Sequence, residues 1–244
     1  MDMGTKQPLQ YKKTLLAVSV LLLLASVTVH YLGNYPVYRL LRGVISFTFL
    51  AILFSYHKKN TNPLLATFLI LYGTSSVITI WYENATLGFI SLILNFIAYL
   101  FLIRAVWLKA TFKNLGIALT LVFIVLIIIN AYLLYEFITM MRDFANGGLN
   151  YASMLLGAMA LVVVSFLALL YNHTYNSKPS LVFTIAVFMF VFAEIFRAIG
   201  YYGFGFDNIP VYIARILLIL GSGMIVHFAL MPKKNNESLS CKLL

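Results

Sequence analysis

The chain is short of charge, and shorter still of acid. Only 10% of its 244 residues are charged, and Asp and Glu together number 7. A soluble domain carries about 25% charged residues, so a water-exposed globule is excluded. There is one cysteine, Cys241 near the C-terminal end, which rules out an intramolecular disulfide and a cysteine-rich metal site. The terminal CKLL is a poor prenylation box, because Lys242 stands where an aliphatic residue belongs. No serine sits in a nucleophile elbow, and there is no phosphate-binding loop and no regular cation ladder of the voltage-sensing kind. No His/Asp/Glu cluster has ligand spacing, so neither a metal nor any other cofactor is expected.

What is present is apolar. Hydrophobic residues make up 62% of the chain and the mean hydropathy is +0.95. So much apolar sequence requires a polytopic membrane protein. Eight runs have the length of a helical span, at about 14–32, 38–56, 63–82, 87–106, 115–137, 150–171, 180–202 and 209–230. Turn chemistry separates them in the stretches GNYP, KKNTNP, NGGLN, NSKP and DNIP. The expected fold is an all-α bundle of eight transmembrane helices. It forms one membrane domain over 14–230, flanked by tails at 1–13 and 231–244. The first run lacks a small-x-small cleavage site and is read as a retained helix. Eight spans also permit two four-span halves of like orientation, in which spans three and seven, and four and eight, correspond.

The net charge of +10 would suggest nucleic acid in a soluble protein, but here it sets orientation. Lys6, Lys12, Lys13, Lys58, Lys59, Lys109, Lys113, Lys178, Lys233, Lys234 and Lys242 all fall on one side of the eight-span arrangement. The alternate loops hold Glu83, Asp143, Asp207 and Arg142 but no lysine. The positive-inside rule then places both termini in the cytoplasm, as in the bacterial inner membrane. Membrane lipids are the expected partners and nucleic acid is not. Tyr31, Tyr35, Trp81, Tyr82, Trp107, Tyr171, Tyr201 and Tyr202 lie near span ends, as an interfacial belt requires.

Ionisable groups inside a span are costly and therefore informative. Glu194 and Arg197 lie in the outer half of span seven, Arg215 in span eight, and Arg39 and Arg42 at the outer end of span two. At 1.5 Å per residue, Glu194 is about 12 Å from the end of its helix, and Arg197 and Arg215 about 9 Å. Glu194 has Arg197 within reach on its own helix and Arg215 within reach across the hairpin. Such a cluster suits either an anionic or zwitterionic lipid head group, gripped by guanidinium forks, or a buried ion-pair network that fixes helix packing. Arg39 is expected to snorkel to the interface. Small or amide residues in other spans read as packing: GTSS at 73–76, Asn95 and Asn130 bonding across helices, and Ser153 with Gly157.

FVFAEIFRAIGYYGFGF in span seven, LILYGTSSVITIW in span three and YRLLRG opening span two together resemble the lysoplasmalogenase-like YhhN family of eight-span membrane proteins. Members of that family carry a Gly-Asp pair in the third span and a Ser-Asp pair in the seventh. Here Gly73 is followed by Thr74, and Ala193-Glu194 replaces Ser-Asp. The resemblance implies cleavage of the vinyl-ether bond of a lysolipid, work for two carboxyl groups. Of that pair only Glu194 remains. Three functions follow. In a diverged hydrolase, Glu194 is the catalytic acid/base, Arg42, Arg197 and Arg215 bind the substrate phosphate, and Glu136 or Asp143 supplies the second acid. In a non-catalytic lipid-binding, sensory or accessory protein the Glu/Arg cluster is structural. A small transporter would use Glu194 as a coupling site and break its helices at 73–76 and 221–223.

Overall fold

The structure is a computed structural model, and it describes residues 7–33, 35–56, 62–107, 109–110, 116–145, 147–202 and 209–231. Among these residues the fold is entirely helical. The helices are α1 (Gln7–Tyr31), α2 (Tyr35–Tyr56), α3 (Pro63–Ile78), α4 (Ala85–Trp107), α5 (Ile117–Met140), α6 (Gly148–Tyr175), α7 (Lys178–Tyr202) and α8 (Ile209–Leu230). Short 3-10 turns follow α3 at Thr79–Trp81 and α5 at Arg142–Phe144. All eight helices are long and apolar enough to cross a membrane. The first begins two turns earlier than the sequence boundary at 14, because the proline in 7–13, Pro8, falls in the first turn, where its missing N–H costs no hydrogen bond. Of the lysines used for orientation, Lys6, Lys58, Lys59, Lys113, Lys233, Lys234 and Lys242 lie outside the described residues, as do Cys241 and Asp207.

Side-chain caps fix the helix starts. Asn62 Oδ1 accepts from the Leu64 backbone N–H at 3.1 Å, and Pro63 fills the first helical position, where no amide partner is needed. Asn84 Oδ1 does the same for α4, taking the N–H groups of Thr86 and Leu87 at 3.0 and 3.2 Å. Between α6 and α7 the chain turns through Asn176 at φ 39°, a left-handed end that asparagine tolerates. Ser177 then starts α7, its Oγ accepting from the Ser180 N–H at 3.3 Å.

Six helices form a closed ring in the order α2, α3, α4, α6, α7, α8, with α8 returning to α2. Outside the ring, α1 lies against α2 and α8, and α5 lies against α6. Most neighbour relations repeat with a shift of four helices: α1 on α2 matches α5 on α6, α2–α3 matches α6–α7, α3–α4 matches α7–α8, and α8–α2 matches α4–α6. Burial repeats as well. Leu65, Ala66, Phe68, Leu69, Tyr72, Ser75 and Ser76 are buried in α3, and 118 residues later Phe183, Thr184, Ala186, Val187, Phe190, Ala193 and Glu194 are buried in α7. The halves thus share one packing plan, related by an axis along the bundle. Glu194 occupies the position that Ser76 holds in the first half.

The core of the ring is aromatic. Phe68, Tyr72, Tyr99 and Phe190 meet at centroid separations of 5.2 to 6.3 Å, and Tyr171, Phe183 and Phe228 form a second group at 5.0 to 6.5 Å. Tyr31, Trp81, Trp107 and Tyr201 are exposed or partly so at helix ends, as a belt requires, but Tyr82 and Tyr171 are buried. Nearness to a helix end along the chain did not mean nearness to the surface for these two. The small residues at 73–76 are indeed a close contact: a Cβ on Gly73 would stand 3.1 Å from Ser46 Cβ. Helix α3 runs unbroken through 73–76, and α8 through 221–223, so the interruptions expected of a transporter are not at those positions.

Two glycines give opposite expectations. A Cβ on Gly43 would overlap Val77 Cγ2 and stand 3.1 Å from the carbonyl oxygen of Gly73. Gly43→Ala should therefore destabilise the protein by about 1–3 kcal/mol, the usual cost of overpacking, despite alanine's better helix propensity. A Cβ on Gly157 would meet nothing within 4 Å, so Gly157→Ala should be neutral or stabilise by up to about 1 kcal/mol. Thermal unfolding of the purified protein in detergent measures both, and equal shifts would contradict the close α2–α3 approach.

Candidate functional site

Three helices of the ring converge on Glu194. Its Oε1 accepts from Arg42 Nη2 on α2 at 2.6 Å and from the Tyr72 hydroxyl on α3 at 2.5 Å. Its Oε2 is paired with Arg197 Nη2, one turn along α7. Arg42 also donates to Tyr72 Oη at 2.7 Å, and its guanidinium carbon lies 5.2 Å from the centre of the Tyr72 ring. Arg42 and Glu194 are buried, while the Arg197 side chain is one-third exposed. The triad sets two arginines against one glutamate.

The arrangement departs from the sequence reading at Arg215. That residue is buried on α8, yet it does not reach Glu194. Its Nη2 donates to the Tyr38 carbonyl at 2.8 Å and its guanidinium lies 4.0 Å from the centre of the Tyr38 ring, while Nη1 has no partner. The partner supplied from another helix is Arg42, which the sequence offered only as one of several candidates. Glu136 and Asp143 are not part of the triad, and neither lines the cavity described next. Thr74, where the family resemblance would put the second acid, does not line it either.

Glu194 and Arg197 form part of the wall of a cavity of about 110 Å³ bounded by α4, α5, α6 and α7. Asn95 and Tyr99 contribute from α4, Ser153 and Gly157 from α6, and Leu134, Phe137 and Ile138 from α5. Ser153 bonds to the Leu149 carbonyl of its own helix and Gly157 faces open space, so this small-residue pair makes room for the cavity rather than a helix contact. Asn130 likewise bonds within its own helix, to the Leu126 carbonyl at 2.8 Å, not across helices. Beside this cavity an apolar crevice of about 320 Å³ runs between α5, α6 and α7. Leu134, Phe137, Leu161 and Ile195 line both spaces, so the two adjoin.

At the same end of the bundle a second, more exposed cluster borders the cavity. Arg39 Nη1 donates to Glu83 Oε1 at 2.7 Å and to the Ile80 carbonyl at 3.2 Å, and its guanidinium lies 5.4 Å from the centre of the Tyr201 ring. The Tyr201 hydroxyl reaches Glu83 at 3.5 Å, and Tyr201 and Tyr82, both cavity residues, meet edge to face at 5.4 Å. Arg39 thus binds protein groups rather than simply extending to the interface. Burial pushes the Glu83 carboxyl up, but the hydrogen bonds from Arg39, the backbone and Tyr201, with the charge of Arg39, together outweigh this and hold it below its ordinary value of 4.5.

Among the described residues no group of three His, Cys, Asp or Glu side chains is placed to hold a metal ion. Tyr72 and Tyr99 were not singled out in the sequence, because tyrosines within an apolar run read as core. The available signal was the hydroxyl itself, which in place of phenylalanine demands a polar partner when buried. In comparisons with protein-family models, curated proteins and solved structures, nothing matches this chain.

Two predictions follow from these geometries. Glu194→Ala strands two buried or half-buried guanidiniums and should lower stability by about 3–5 kcal/mol, whereas Tyr72→Phe loses one hydrogen bond to a charged group and should cost about 1.5–3 kcal/mol. Detergent-solubilised unfolding tests the order, and a smaller loss for Glu194→Ala would contradict the triad. Because the folded Glu83 carboxyl is depressed, its contribution is complete above pH 4.5 and is lost as pH falls through the lower folded value. The effect should be small, since Glu83 is mostly exposed. Glu83→Gln should flatten stability between about pH 5 and 3 relative to wild type.

Proposed function

We propose that this protein is a membrane-embedded binder of single-chain amphiphiles, with the polar head in the Glu194–Arg197 cavity and the alkyl chain in the α5–α6–α7 crevice. The observation that carries this reading is the wall the two spaces share: Glu194, Arg197, Asn95 and Tyr99 are among the residues lining the first, while the second is lined by apolar side chains apart from Asn130 and Ser165. The crevice alone falls in the range of roughly 300–1,000 Å³ typical of small-molecule sites. The family resemblance points to the same ligand class, a lysolipid. The lysine distribution favours cytoplasmic termini, with the cavity in the outer half of the membrane.

Binding without hydrolysis is the form of this reading that the site favours. Vinyl-ether cleavage asks for a proton donor and a group that activates water. The cavity lining contains one carboxylate, Glu194, and both of its oxygens already accept from Arg42, Tyr72 and Arg197. To act as acid or base, Glu194 would first have to leave its ion pairs. A cavity beside the triad also argues against a purely structural cluster, which needs no open space.

The test has two parts. Protein purified in mild detergent should retain a single-chain lipid in native mass spectrometry, and Gly157→Leu, which fills open space, should lose that lipid without losing thermal stability. Equal retention by the variant would sink the proposed site. Incubation with a lysoplasmalogen should release no aldehyde; release that Glu194→Gln abolishes would favour the hydrolase instead.

A further inference from the structure

Three polar atoms of the cavity residues are buried and have no partner: Arg197 Nε on α7, and Asn95 Oδ1 and Tyr99 Oη on α4. Asn95 and Tyr99 are four residues apart and so share one face of α4. Tyr99 is 1% exposed and packs its ring on Tyr72 at 6.2 Å, yet its hydroxyl finds no acceptor. Burying a hydroxyl or a guanidinium N–H unbonded is costly, and native structures rarely leave such groups without a partner. Arg197 Nε and Tyr99 Oη are donors as placed, and Asn95 Oδ1 is an acceptor. The Asn95 amide presents its NH₂ when rotated, an exchange of near-identical shape.

The charge balance around the cavity points the same way. Arg42 and Arg197 share one carboxylate, and Arg215, buried close by, pairs with a backbone carbonyl and a tyrosine ring rather than an acid. Three arginines against one glutamate leave the low-dielectric interior with a surplus of positive charge. Such a surplus is expensive in a membrane unless an anion balances it.

We propose that the head group taken by this cavity is a compact oxyanion, a carboxylate or a phosphate monoester, held by Arg197 Nε, the Tyr99 hydroxyl and the Asn95 amide. The inference rests on the amphiphile-binding reading above and adds the chemical class of the head. A zwitterionic head brings a quaternary or primary ammonium into a site already rich in guanidinium. A neutral glycerol head leaves the surplus charge uncompensated. The carboxylate and the phosphate monoester share the chemistry the site selects, and the head-group volume decides between them.

The experiment measures binding to the full-length protein in neutral-lipid nanodiscs of four ligands with one oleoyl chain: oleate, lysophosphatidate, lysophosphatidylcholine and monoolein. Oleate, lysophosphatidate or both should bind at least ten-fold more tightly than the other two, and whichever is tighter identifies the source of the oxyanion. Tyr99→Phe, which keeps the ring and its packing, should weaken the anionic ligand about ten- to a hundred-fold, the loss of one hydrogen bond to a charged group. It should leave monoolein unchanged. If all four bind alike, or lysophosphatidylcholine is tightest, the oxyanion inference fails while amphiphile binding stands. If none binds, both fail. Unchanged oleate and lysophosphatidate affinities in Tyr99→Phe, with thermal stability retained, would also overturn the assignment.

Discussion

The carboxylate of Glu194 ties together three helices, α2, α3 and α7, at one buried point. Arg42 reaches it from α2, Tyr72 from α3, and Arg197 from its own helix, so the register of α7 against α2 and α3 is fixed by hydrogen bonds as well as by shape. In a bilayer this matters more than in water. Apolar side chains pack against lipid nearly as well as against each other, so helix position depends on close van der Waals fit and on polar contacts. The aromatic layer of Phe68, Tyr72, Tyr99 and Phe190 lies against that ion pair and keeps water from its inner side. Moving any of these helices by one turn would expose an unpaired charge to hydrocarbon.

Much of the fold was legible in the sequence because membrane spans are written in composition. Runs 180–202 and 209–230 match α7 and α8 to within two residues, since prolines and polar turns bound them. The Glu194–Arg197 contact was legible too, because a three-residue spacing on a helix is nearly a structural statement. Interhelical partners were not. Arg215 and Arg42 are both arginines near the same end of the bundle, and α8 rather than α2 adjoins α7 in the ring, so the pairing is set by the way each side chain is turned and not by helix order. Arg215 instead turns to the Tyr38 carbonyl and ring, a partner that no charge pattern announces. Tyr99 and Asn95 were invisible as site residues for a related reason. Their role lies in what they fail to bond, and that is known only once every neighbour is placed.

The last step concerns why the cavity lies where it does. The two halves share a packing plan, and α1 and α5 hold equivalent places outside the ring. Helix α1 leans on both α2 and α8, closing its side. By the four-helix shift, α5 should lean on both α6 and α4. It packs on α6, but the position against α4 is taken by open space walled by Asn95, Tyr99, Leu134, Phe137 and Ile138. The place where the repeat is broken is therefore the place where the cavity opens, with Glu194 at its wall and Ser76 at the corresponding point of the closed half. Of the window of α5 that would cross the membrane, only 6% is buried, the least of any helix. Helix α5 is thus the outer wall of the cavity, while the six-helix ring behind it is tied by the triad. A duplicated scaffold with one outer helix packed chiefly on a single neighbour keeps a charged triad within a closed ring and a cavity at its edge.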